Sequence, residues 1–544
     1  MIIKILFSQK NTTVGDIEGN YNILKKSYFF ANKNKCDFFF TTEFSLTGYP
    51  PQDLLFREDF MRKVEVYKKK IMDLTKNKKT IFVLSIPQHF KKKITNCLLI
   101  IESGKVVHRV IKSHLPNYGV FDEKRYFHGN EDKSNYFKFK NKKINFLICE
   151  DMWVDDYSKN LVKPKIDLIV IINASPFEIG KFKLRKKLAS KRAKFYESSL
   201  IYLNLVGAQD DLIFDGGSFV MNSSGKIILQ KEFFSDSDEI IDLNETHQLK
   251  IIKKKSDNEL LYKALMIGLK NYMNKNNFKS AILGLSGGVD SALTLAIASD
   301  SLDKNHIKSF FLPSIFTSKE SRIDAHNLSR NLEIDTTELS IENLKIKILE
   351  ELKYIFKDLK NDITEENIQS RIRGLLLMAI SNKFNSLLIT TGNKSELSVG
   401  YSTLYGDMCG GYSLLKDIYK TKVFELCEWR NKNILDEFKV KKLNVIPQEI
   451  IKKEPSAELK FDQKDSDSLP YYETLDKILE LLIDQNKGID FIVKKGFKKS
   501  IVNKIWDLVK KSEFKRYQSA IGPKVSGMSL SADRRFPLTN KFRL

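Results

Sequence analysis

The sequence predicts an α/β protein with two domains. The chain has 544 residues, more than one hydrophobic core normally serves. Short apolar runs alternate with amphipathic segments in both halves, as expected where strands alternate with helices. A polar, charged stretch at residues 244–258 separates the halves. We therefore predict domains at residues 1–247 and 259–544, joined by a linker at 248–258.

The first half predicts a layered α/β domain. Residues 20–35 and 181–199 have helical spacing. Many of the apolar runs carry a polar residue near their end, which suggests a functional site at the strand termini. These runs are IIKILFSQ, CDFFFTTEF, TIFVLSIP, NCLLIIESG, INFLICED and IDLIVIINAS.

The second half predicts a doubly wound parallel sheet. A helix, ELLYKALMIGLKNYMNK, precedes the buried-looking strand SAILGLS, a glycine turn and the helix SALTLAIASDSL. The strands IKSFFLPS and FNSLLITTG continue the alternation of strand and helix. Residues 420–544 are mainly helical and polar, with a basic tail.

Composition limits the possible partners. There are 91 basic and 68 acidic residues, for a net charge of +23, but the lysines are spread along the chain and no RNA-binding signature accompanies them. We interpret them as a solvated surface and expect no nucleic-acid partner. Five cysteines without a CxxC pair argue against a disulfide scaffold or zinc site. With no apolar span of roughly 18 residues and no signal peptide, we expect a cytoplasmic protein without a membrane partner.

Three ionisable residues stand at the ends of predicted strands in the first half: Glu43, Lys112 and Cys149. A thiolate is a nucleophile, but a free thiol with a pKa near ~8.5 needs help to form it. A carboxylate can accept the thiol proton, and an ammonium can stabilise thiolate and oxyanion. If the three converge, they suit attack on a carboxamide through a thioester, with ammonia as the leaving group. Taken singly, each has an ordinary structural interpretation.

A glycine-rich turn in the second half, GLSGGVDS, predicts a phosphate-binding loop. Adjacent glycines let the backbone approach an anion, and the following helix offers free N–H groups. A carboxylate beside phosphate implies a cation, so Asp290 suggests Mg²⁺. No GxxxxGK[ST] pattern supports a kinase or GTPase loop. The predicted ATP loop comprises Gly284, Leu285, Ser286, Gly287, Gly288, Val289, Asp290 and Ser291.

The segments around Glu43, Lys112 and Cys149 resemble those of a known family. TTEFSLTGYPPQDLL, KSHLPNYGVFDEKRYF and ICEDMW resemble the amidase domain of the nitrilase superfamily, in the form fused to NAD synthetases. The resemblance implies an αββα sandwich, with Glu43 as general base, Lys112 as oxyanion stabiliser and Cys149 as nucleophile. It also implies glutamine contacts at Tyr118, Ser175 and Lys181.

The second half resembles the Rossmann-like N-type ATP pyrophosphatases, and in particular NAD synthetases. The segments that carry this resemblance are TEENIQSRIRGLLLMAIS, LITTGNKSELSVGYSTLYGDMCGGYSLLKDIYKT, PSAEL, DSLPYYETLD and ADRRFPLTNKFR. The resemblance implies that Thr391 binds ATP and that Asn367, Glu396 and Lys524 contact deamido-NAD⁺. Two departures are Cys409, where the family usually has alanine, and AIGPK in place of a more proline-rich version. We interpret Cys409 as a packing residue.

The combined resemblance implies a ligase that makes NAD⁺ from deamido-NAD⁺, ATP and glutamine. It further implies Mg²⁺, an ammonia tunnel and a homo-oligomer built on dimers of the synthetase domain. Three alternatives remain open at this point. First, the acceptor could be XMP or aspartate. Second, the protein could be an RNA-modifying adenylating enzyme, although the sulfur-carrying cysteine pair that such an enzyme requires is absent. Third, it could be a binding protein with inactive sites, although both motifs are intact.

Overall fold

The computed structural model describes residues 3–90, 93–130, 135–155, 165–243, 254–357 and 359–542. The chain divides into two compact units, Met1–Leu260 and Leu261–Leu544. The predicted linker lies outside the described residues as far as residue 253.

Unit 1 is built mainly from strands. Its described strands are β1 (Lys4–Gln9), β2 (Phe38–Phe40), β3 (Ile81–Phe90), β4 (Lys93–Glu102), β5 (Lys105–Ile111), β6 (Tyr136–Phe139), β7 (Lys142–Ile148), β8 (Leu168–Asn173), β9 (Ser199–Asn204), β10 (Val206–Gln209), β11 (Leu212–Asp215), β12 (Phe219–Met221), β13 (Ile227–Gln230) and β14 (Ser237–Asp242). Its described helices are α1 (Ile17–Lys33), α2 (Glu58–Thr75), α3 (Glu123–Tyr126) and α4 (Lys181–Tyr196), with 3₁₀ turns at Gln52–Phe56 and Cys149–Met152.

Two six-stranded sheets of unit 1 pack face to face. Their strand orders are β14-β1-β2-β3-β4-β5 and β13-β12-β9-β8-β7-β6. Alternate side chains of both sheets form one core, for example Phe40 and Val83 with Phe146 and Val170, because successive side chains of a strand point to opposite faces. Helices α1 and α2 cover the outer face of the first sheet, and α4 covers that of the second. This arrangement confirms the predicted αββα sandwich.

Unit 2 alternates strands and helices and then becomes helical. Its described strands are β15 (Ala281–Leu285), β16 (Ile307–Phe311), β17 (Thr336–Glu338), β18 (Leu387–Thr390) and β19 (Tyr412–Ser413). Its described helices are α5 (Asp257–Lys275, which begins in unit 1), α6 (Val289–Ser301), α7 (Lys319–Leu332), α8 (Glu342–Phe356), α9 (Ile363–Phe384), α10 (Lys394–Val399), α11 (Lys420–Lys432), α12 (Gln448–Lys452), α13 (Tyr472–Leu479), α14 (Ile489–Lys494), α15 (Lys499–Lys511) and α16 (Glu513–Tyr517). Short 3₁₀ turns lie at Lys304–His306 and Asp465–Asp467, and a π turn lies at Glu480–Asp484.

The unit 2 sheet is parallel and has the order β17-β16-β15-β18-β19. This order confirms the predicted doubly wound sheet. The chain reverses its direction of progress between β15 and β18, and ligands of such sheets bind beyond the carboxyl ends of the strands at this point. The loop 286–288 and Thr391 both lie there, directly after β15 and β18.

A hydrophobic cluster in unit 2 joins the C-terminal helices. Side chains of α10, α13, α14 and α15 pack together, including Leu475, Ile478, Val502 and Ile505. The cluster holds α13 against α10, the helix that follows β18 at the carboxyl ends of the strands. In the described part of the chain, no helix has both the length and the apolar character that a membrane span requires.

Candidate active sites

Strand ends bring the three predicted residues of unit 1 together. Glu43 follows β2, Lys112 follows β5, and Cys149 follows β7 of the facing sheet. All three side chains are buried. The charges of Glu43 and Lys112 both act on the Cys149 thiol. The convergence that the sequence suggested is therefore present.

Glu43 is held by donors from both sheets. Its Oε1 accepts hydrogen bonds from Asn96 Nδ2 at 2.7 Å and Lys112 Nζ at 2.9 Å. Its Oε2 accepts one from the backbone N–H of Ala174 at 3.0 Å, just after β8. A carboxylate fixed in this way is oriented before any substrate arrives, as a general base requires.

A second carboxylate, Glu123, contacts Lys112. Lys112 Nζ donates to Glu123 Oε1 at 2.8 Å, and Tyr49 Oη donates to the same oxygen at 3.0 Å. Burial alone would lower the pKa of Lys112, but Glu123 and Glu43 raise it well above its usual value. Burial raises the pKa of Glu123 to about 7. The sequence interpretation missed Glu123, although it lies inside the segment KSHLPNYGVFDEKRYF; an acidic residue there was the available signal.

Cys149 occupies a strained turn at the end of β7. Its φ is 42°, in the left-handed region that non-glycine residues rarely adopt. Burial, reinforced by the Glu43 carboxylate and opposed by Lys112, raises the pKa of the Cys149 thiol well above its usual value. The thiol proton must leave as attack proceeds, which requires an adjacent base.

Asp151 joins the segment that follows Lys112 to the turn that holds Cys149. Its Oδ1 accepts from the backbone N–H groups of Ser113 at 3.1 Å and His114 at 2.9 Å. Its Oδ2 accepts from the N–H of Ile148 at 3.2 Å. The residues after Lys112 and the residue before Cys149 thus share one buried carboxylate. This shared partner fixes Lys112 relative to Cys149.

The predicted glutamine contacts lie around this turn. Tyr118 is 58% exposed and its hydroxyl donates to Glu150, the neighbour of Cys149, at 3.0 Å. Ser175 is buried just after β8, where its carbonyl accepts from Arg185 Nη2 at 2.8 Å. Lys181 begins α4 and pairs with Glu178 at 3.1 Å. The roles of these three residues in binding glutamine stay predictions.

In unit 2, the residues after β15 form a compact loop. Gly287 has a φ of 78°, and an added Cβ would lie 2.4 Å from the carbonyl oxygen of Ser321. Glycine is therefore required there. Ser286 Oγ accepts from the N–H of Gly288 at 3.2 Å, and Ser291 Oγ donates to the carbonyl of Gly288 at 2.9 Å. The loop is preshaped by its own serines and opens onto the N-terminus of α6.

Lys420, which the sequence interpretation missed, joins Asp290 to Glu396. Its Nζ lies 2.5 Å from Asp290 Oδ2 and 3.0 Å from Glu396 Oε1. Burial would lower the pKa of Lys420, but the two carboxylates raise it above its usual value. Burial raises the pKa of Glu396 to about 8, against the opposing effect of Lys420. Lys420 lies 130 residues from Asp290, and the only signal was a lysine within the segment LLKDIYKT.

The segment GNKSE orients Glu396 and contacts Asp290. Asn393 caps α10: its Oδ1 accepts from the N–H of Glu396 at 3.0 Å, while its Nδ2 donates to Asp290 Oδ1 at 2.9 Å. Lys394 is fully buried and pairs with Asp417 at 2.9 Å. Each side chain of the segment therefore has a partner far away in sequence, which fixes Glu396 against the loop.

A cavity of about 290 Å³ opens at the carboxyl ends of β15 and β18. All the predicted loop residues except Gly287 line it, together with Thr391 and Glu396. Among the described residues that line it, three side chains are basic and six are acidic: Arg373, Lys420 and Lys453, and Asp290, Glu396, Asp407, Glu454, Glu458 and Asp465.

Two predicted dinucleotide contacts lie outside the lining of this cavity. Asn367, on α9, accepts a hydrogen bond from Thr403 Oγ1 at 2.8 Å. Lys524 is buried, and its Nζ donates to the carbonyl of Ser526 at 2.5 Å and lies 3.3 Å from Asp533. Cys409, in contrast, lines the cavity. The roles of Asn367 and Lys524 stay predictions.

Fold and sites together define a two-part class of enzyme, in which an amidase-type αββα unit precedes a nucleotide-binding unit of doubly wound topology. Family models agree with this division. Residues 7–250 match the carbon-nitrogen hydrolase family, and residues 261–519 match the NAD synthase family.

Several glutamine-dependent NAD(+) synthetases match nearly the full length of the chain. The glutamine-dependent NAD(+) synthetases of Thermotoga maritima and Synechocystis sp. are 37% and 40% identical, with 99% of each chain covered. The structure of the Acinetobacter baumannii glutamine-dependent NAD+ synthetase in complex with ADP is similar, with a TM-score of 0.78 at 36% identity, covering 99% of this chain and 98% of that one. The chain belongs to the family of glutamine-dependent NAD(+) synthetases.

Proposed function

We propose that the protein hydrolyses glutamine in unit 1 and uses the ammonia in unit 2 to convert deamido-NAD⁺ into NAD⁺ with ATP. The observation that carries the proposal is that one chain holds both a Glu43–Lys112–Cys149 cluster and a phosphate-type loop that contains Asp290. Neither site alone requires the other, whereas together they supply the donor and the consumer of ammonia.

The amide chemistry follows from the geometry of the first site. Cys149 Sγ attacks the side-chain carbonyl carbon of glutamine while Glu43 accepts the thiol proton. Lys112 stabilises the developing oxyanion. Collapse of the tetrahedral intermediate breaks the C–N bond, ammonia leaves with the proton from Glu43, and a thioester remains. Water, deprotonated by Glu43, then releases glutamate and restores the thiol.

Glutamine itself is proposed to bind near Tyr118, Ser175 and Lys181. A lysine ammonium suits the α-carboxylate of an amino acid, and the Tyr118–Glu150 pair lies directly beside the nucleophile. Glu178 holds Lys181 at 3.1 Å, so the substrate carboxylate would share this ammonium with Glu178.

In unit 2, the carboxylate of the nicotinate ring attacks the α-phosphorus of ATP and pyrophosphate leaves. Ammonia then attacks the adenylated carbonyl carbon, loses a proton and displaces AMP. The N–H groups at the start of α6 and the Lys420 ammonium would contact the phosphates, and Thr391 would hold the nucleotide. Asn367 and Lys524 are proposed to contact deamido-NAD⁺ beyond the cavity lining.

The residues present fit Mg²⁺. The described residues contain no cluster of three or more side chains of the metal-binding types, but Asp290 and Glu396 flank the Lys420 cation. Magnesium is commonly held by one or two carboxylates together with substrate phosphates. Asp290 would thus hold Mg²⁺, which, when bound, neutralises phosphate charge, while Glu396 keeps its predicted role as a contact of deamido-NAD⁺. The excess of acidic over basic side chains in the cavity points the same way, because it would otherwise repel ATP.

We also propose a homo-oligomer assembled through unit 2. Helix α8 and the start of α9 expose large apolar side chains: Tyr354 at 82%, Ile355 at 68% and Ile363 at 66%. Large apolar side chains exposed near one another are typical of protein interfaces. Light scattering should show a particle larger than one chain; a monomer over the working concentration range would contradict this part.

The experiment that tests the function is an assay of the purified protein with ATP, glutamine and one acceptor. Deamido-NAD⁺ should yield NAD⁺, AMP, pyrophosphate and glutamate, whereas XMP and aspartate should not drive AMP formation. Comparable turnover with either alternative would overturn the choice of acceptor. An RNA-modifying enzyme would instead show salt-dependent RNA binding.

A further inference from the structure

Helix α13 lies against the residues that present Lys420. Asp476 on this helix is 5% exposed, and its carboxylate accepts hydrogen bonds from Ser395 and Thr421. Ser395 Oγ donates to Oδ1 at 2.5 Å, and the backbone N–H of Thr421 donates to Oδ2 at 2.9 Å. Ser395 belongs to α10 and Thr421 to α11, so one carboxylate joins both helices.

The hydrogen bonds close a ring around the backbone of Lys420. Ser395 Oγ donates to Asp476 and accepts from the N–H of Lys420 at 2.8 Å. The N–H of the next residue, Thr421, returns to Asp476. Free N–H groups at the start of α11 are thereby satisfied by buried partners. The ring fixes the position from which the Lys420 side chain extends.

The same helix also contacts the Lys420 side chain. Tyr472 lies four residues before Asp476, on the same face of α13. Its ring centroid is 5.2 Å from Lys420 Nζ, and its hydroxyl donates to Asp465 Oδ2 at 2.7 Å. The aromatic face therefore limits where the ammonium can move, while Asp476 limits where the backbone can move.

We propose that Asp476, acting through Ser395, is a positioning residue that sets the Lys420 ammonium between Asp290 and Glu396. It does not touch the cavity; neither Asp476 nor Ser395 is among the described residues that line it, whereas Lys420 is. The inference rests on the proposed function, since it assigns Lys420 a task in ATP-dependent adenylation. It gives a role to the segment DSLPYYETLD, which the chemistry of the site left unexplained.

The test measures pyrophosphate release with ATP, deamido-NAD⁺ and saturating ammonium chloride, so that unit 1 is bypassed. Ser395→Ala removes both hydrogen bonds of the hydroxyl, whereas Ser395→Thr keeps a hydroxyl. We expect kcat to fall about 10–100-fold in Ser395→Ala and in Asp476→Asn, because small displacements of a catalytic group cost rates of this order. Ser395→Thr should lose less activity than Ser395→Ala, because a threonine hydroxyl can make the same hydrogen bonds. If Asp476→Asn does not fold, the two Ser395 variants decide alone.

A double-mutant comparison separates positioning from support of the fold. In a Lys420→Ala background, Asp476→Asn or Ser395→Ala should cause almost no additional loss, because the residue through which they act is gone. Ile478→Val, a buried change on the same helix, is the matched control and should lower the melting temperature without lowering kcat.

Two results would overturn the inference: multiplied losses in the Lys420→Ala background, or an unchanged kcat in Ser395→Ala. A wild-type protein that releases no pyrophosphate with any acceptor would instead defeat the proposed function. The two failures are therefore distinguishable.

Discussion

Replacing Glu43 by glutamine tests the first site, because the change keeps the size of the side chain and removes its basicity. Glu43 is fully buried, and three donors converge on it. An amide has only one oxygen. The more favourable orientation of the amide keeps this oxygen towards Asn96 and Lys112. The NH₂ group then faces the N–H of Ala174, and two hydrogen-bond donors oppose each other.

The magnitude follows from these contacts. The variant loses one hydrogen bond to a charged acceptor, about 1.5–3 kcal/mol, and part of the attraction to Lys112 at 2.9 Å. Removing one partner of a buried pair costs roughly 3–5 kcal/mol, but Lys112 keeps Glu123 at 2.8 Å. We therefore expect a loss of about 2–4 kcal/mol in the free energy of unfolding. Loss of the general base should lower glutamine hydrolysis by about 10²–10⁴-fold.

The assay compares glutamate release with NAD⁺ formation from ammonium chloride in the same preparation. The second activity should persist, since unit 2 is unaltered. Ile169→Val, a buried change in β8, is the control for stability and should leave glutamine hydrolysis intact. Glutamine hydrolysis within tenfold of wild type in a folded Glu43→Gln protein would refute the assignment of Glu43 as the base.

Three further predictions concern Cys149, Asp290 and Lys231. Cys149→Ala should reduce glutamine-driven NAD⁺ formation to background and spare the ammonium-driven reaction, more so at higher pH; parallel loss of both, with a lower melting temperature, would mark a structural cysteine. Asp290→Asn should lower NAD⁺ formation about 100-fold or more with either nitrogen source, and near-normal synthesis with either would mean that the loop is only structural. Burial lowers the pKa of Lys231 from 10.5 to about 7, so between these values the unfolded state binds more protons and stability rises with pH. Lys231→Met should accordingly gain up to roughly 4 kcal/mol in free energy of unfolding relative to wild type as the pH falls from 10 towards 7. This gain is reduced by about 0.5–1.5 kcal/mol for each hydrogen bond that Lys231 Nζ donates to the carbonyls of Ser237 and Phe7. A difference independent of pH would show that Lys231 is charged throughout.

The sequence by itself determined the class of fold and the chemistry available to it. Runs such as FFF before Glu43 and INFLI before Cys149 are buried strands in the structure, because the apolar content and length of a run are local properties that burial requires. The loop GLSGGVDS could be predicted for a similar reason. Only glycine tolerates the backbone conformation and close packing at Gly287, so this structural requirement is visible in the sequence as a glycine. The proposed roles of individual side chains remain predictions.

Only the tertiary structure decided which distant side chains meet. Glu123 lies 11 residues after Lys112 in the chain, and nothing in the local pattern indicates that it shares this ammonium with Glu43. Asp290, Glu396 and Lys420 come from three separate segments. Their meeting depends on the strand order β15-β18-β19 and on the packing of α11 against α6, and both are set by long-range contacts. A sequence pattern reports periodicity and residue chemistry, whereas ion pairs form between whichever groups the order of strands brings together.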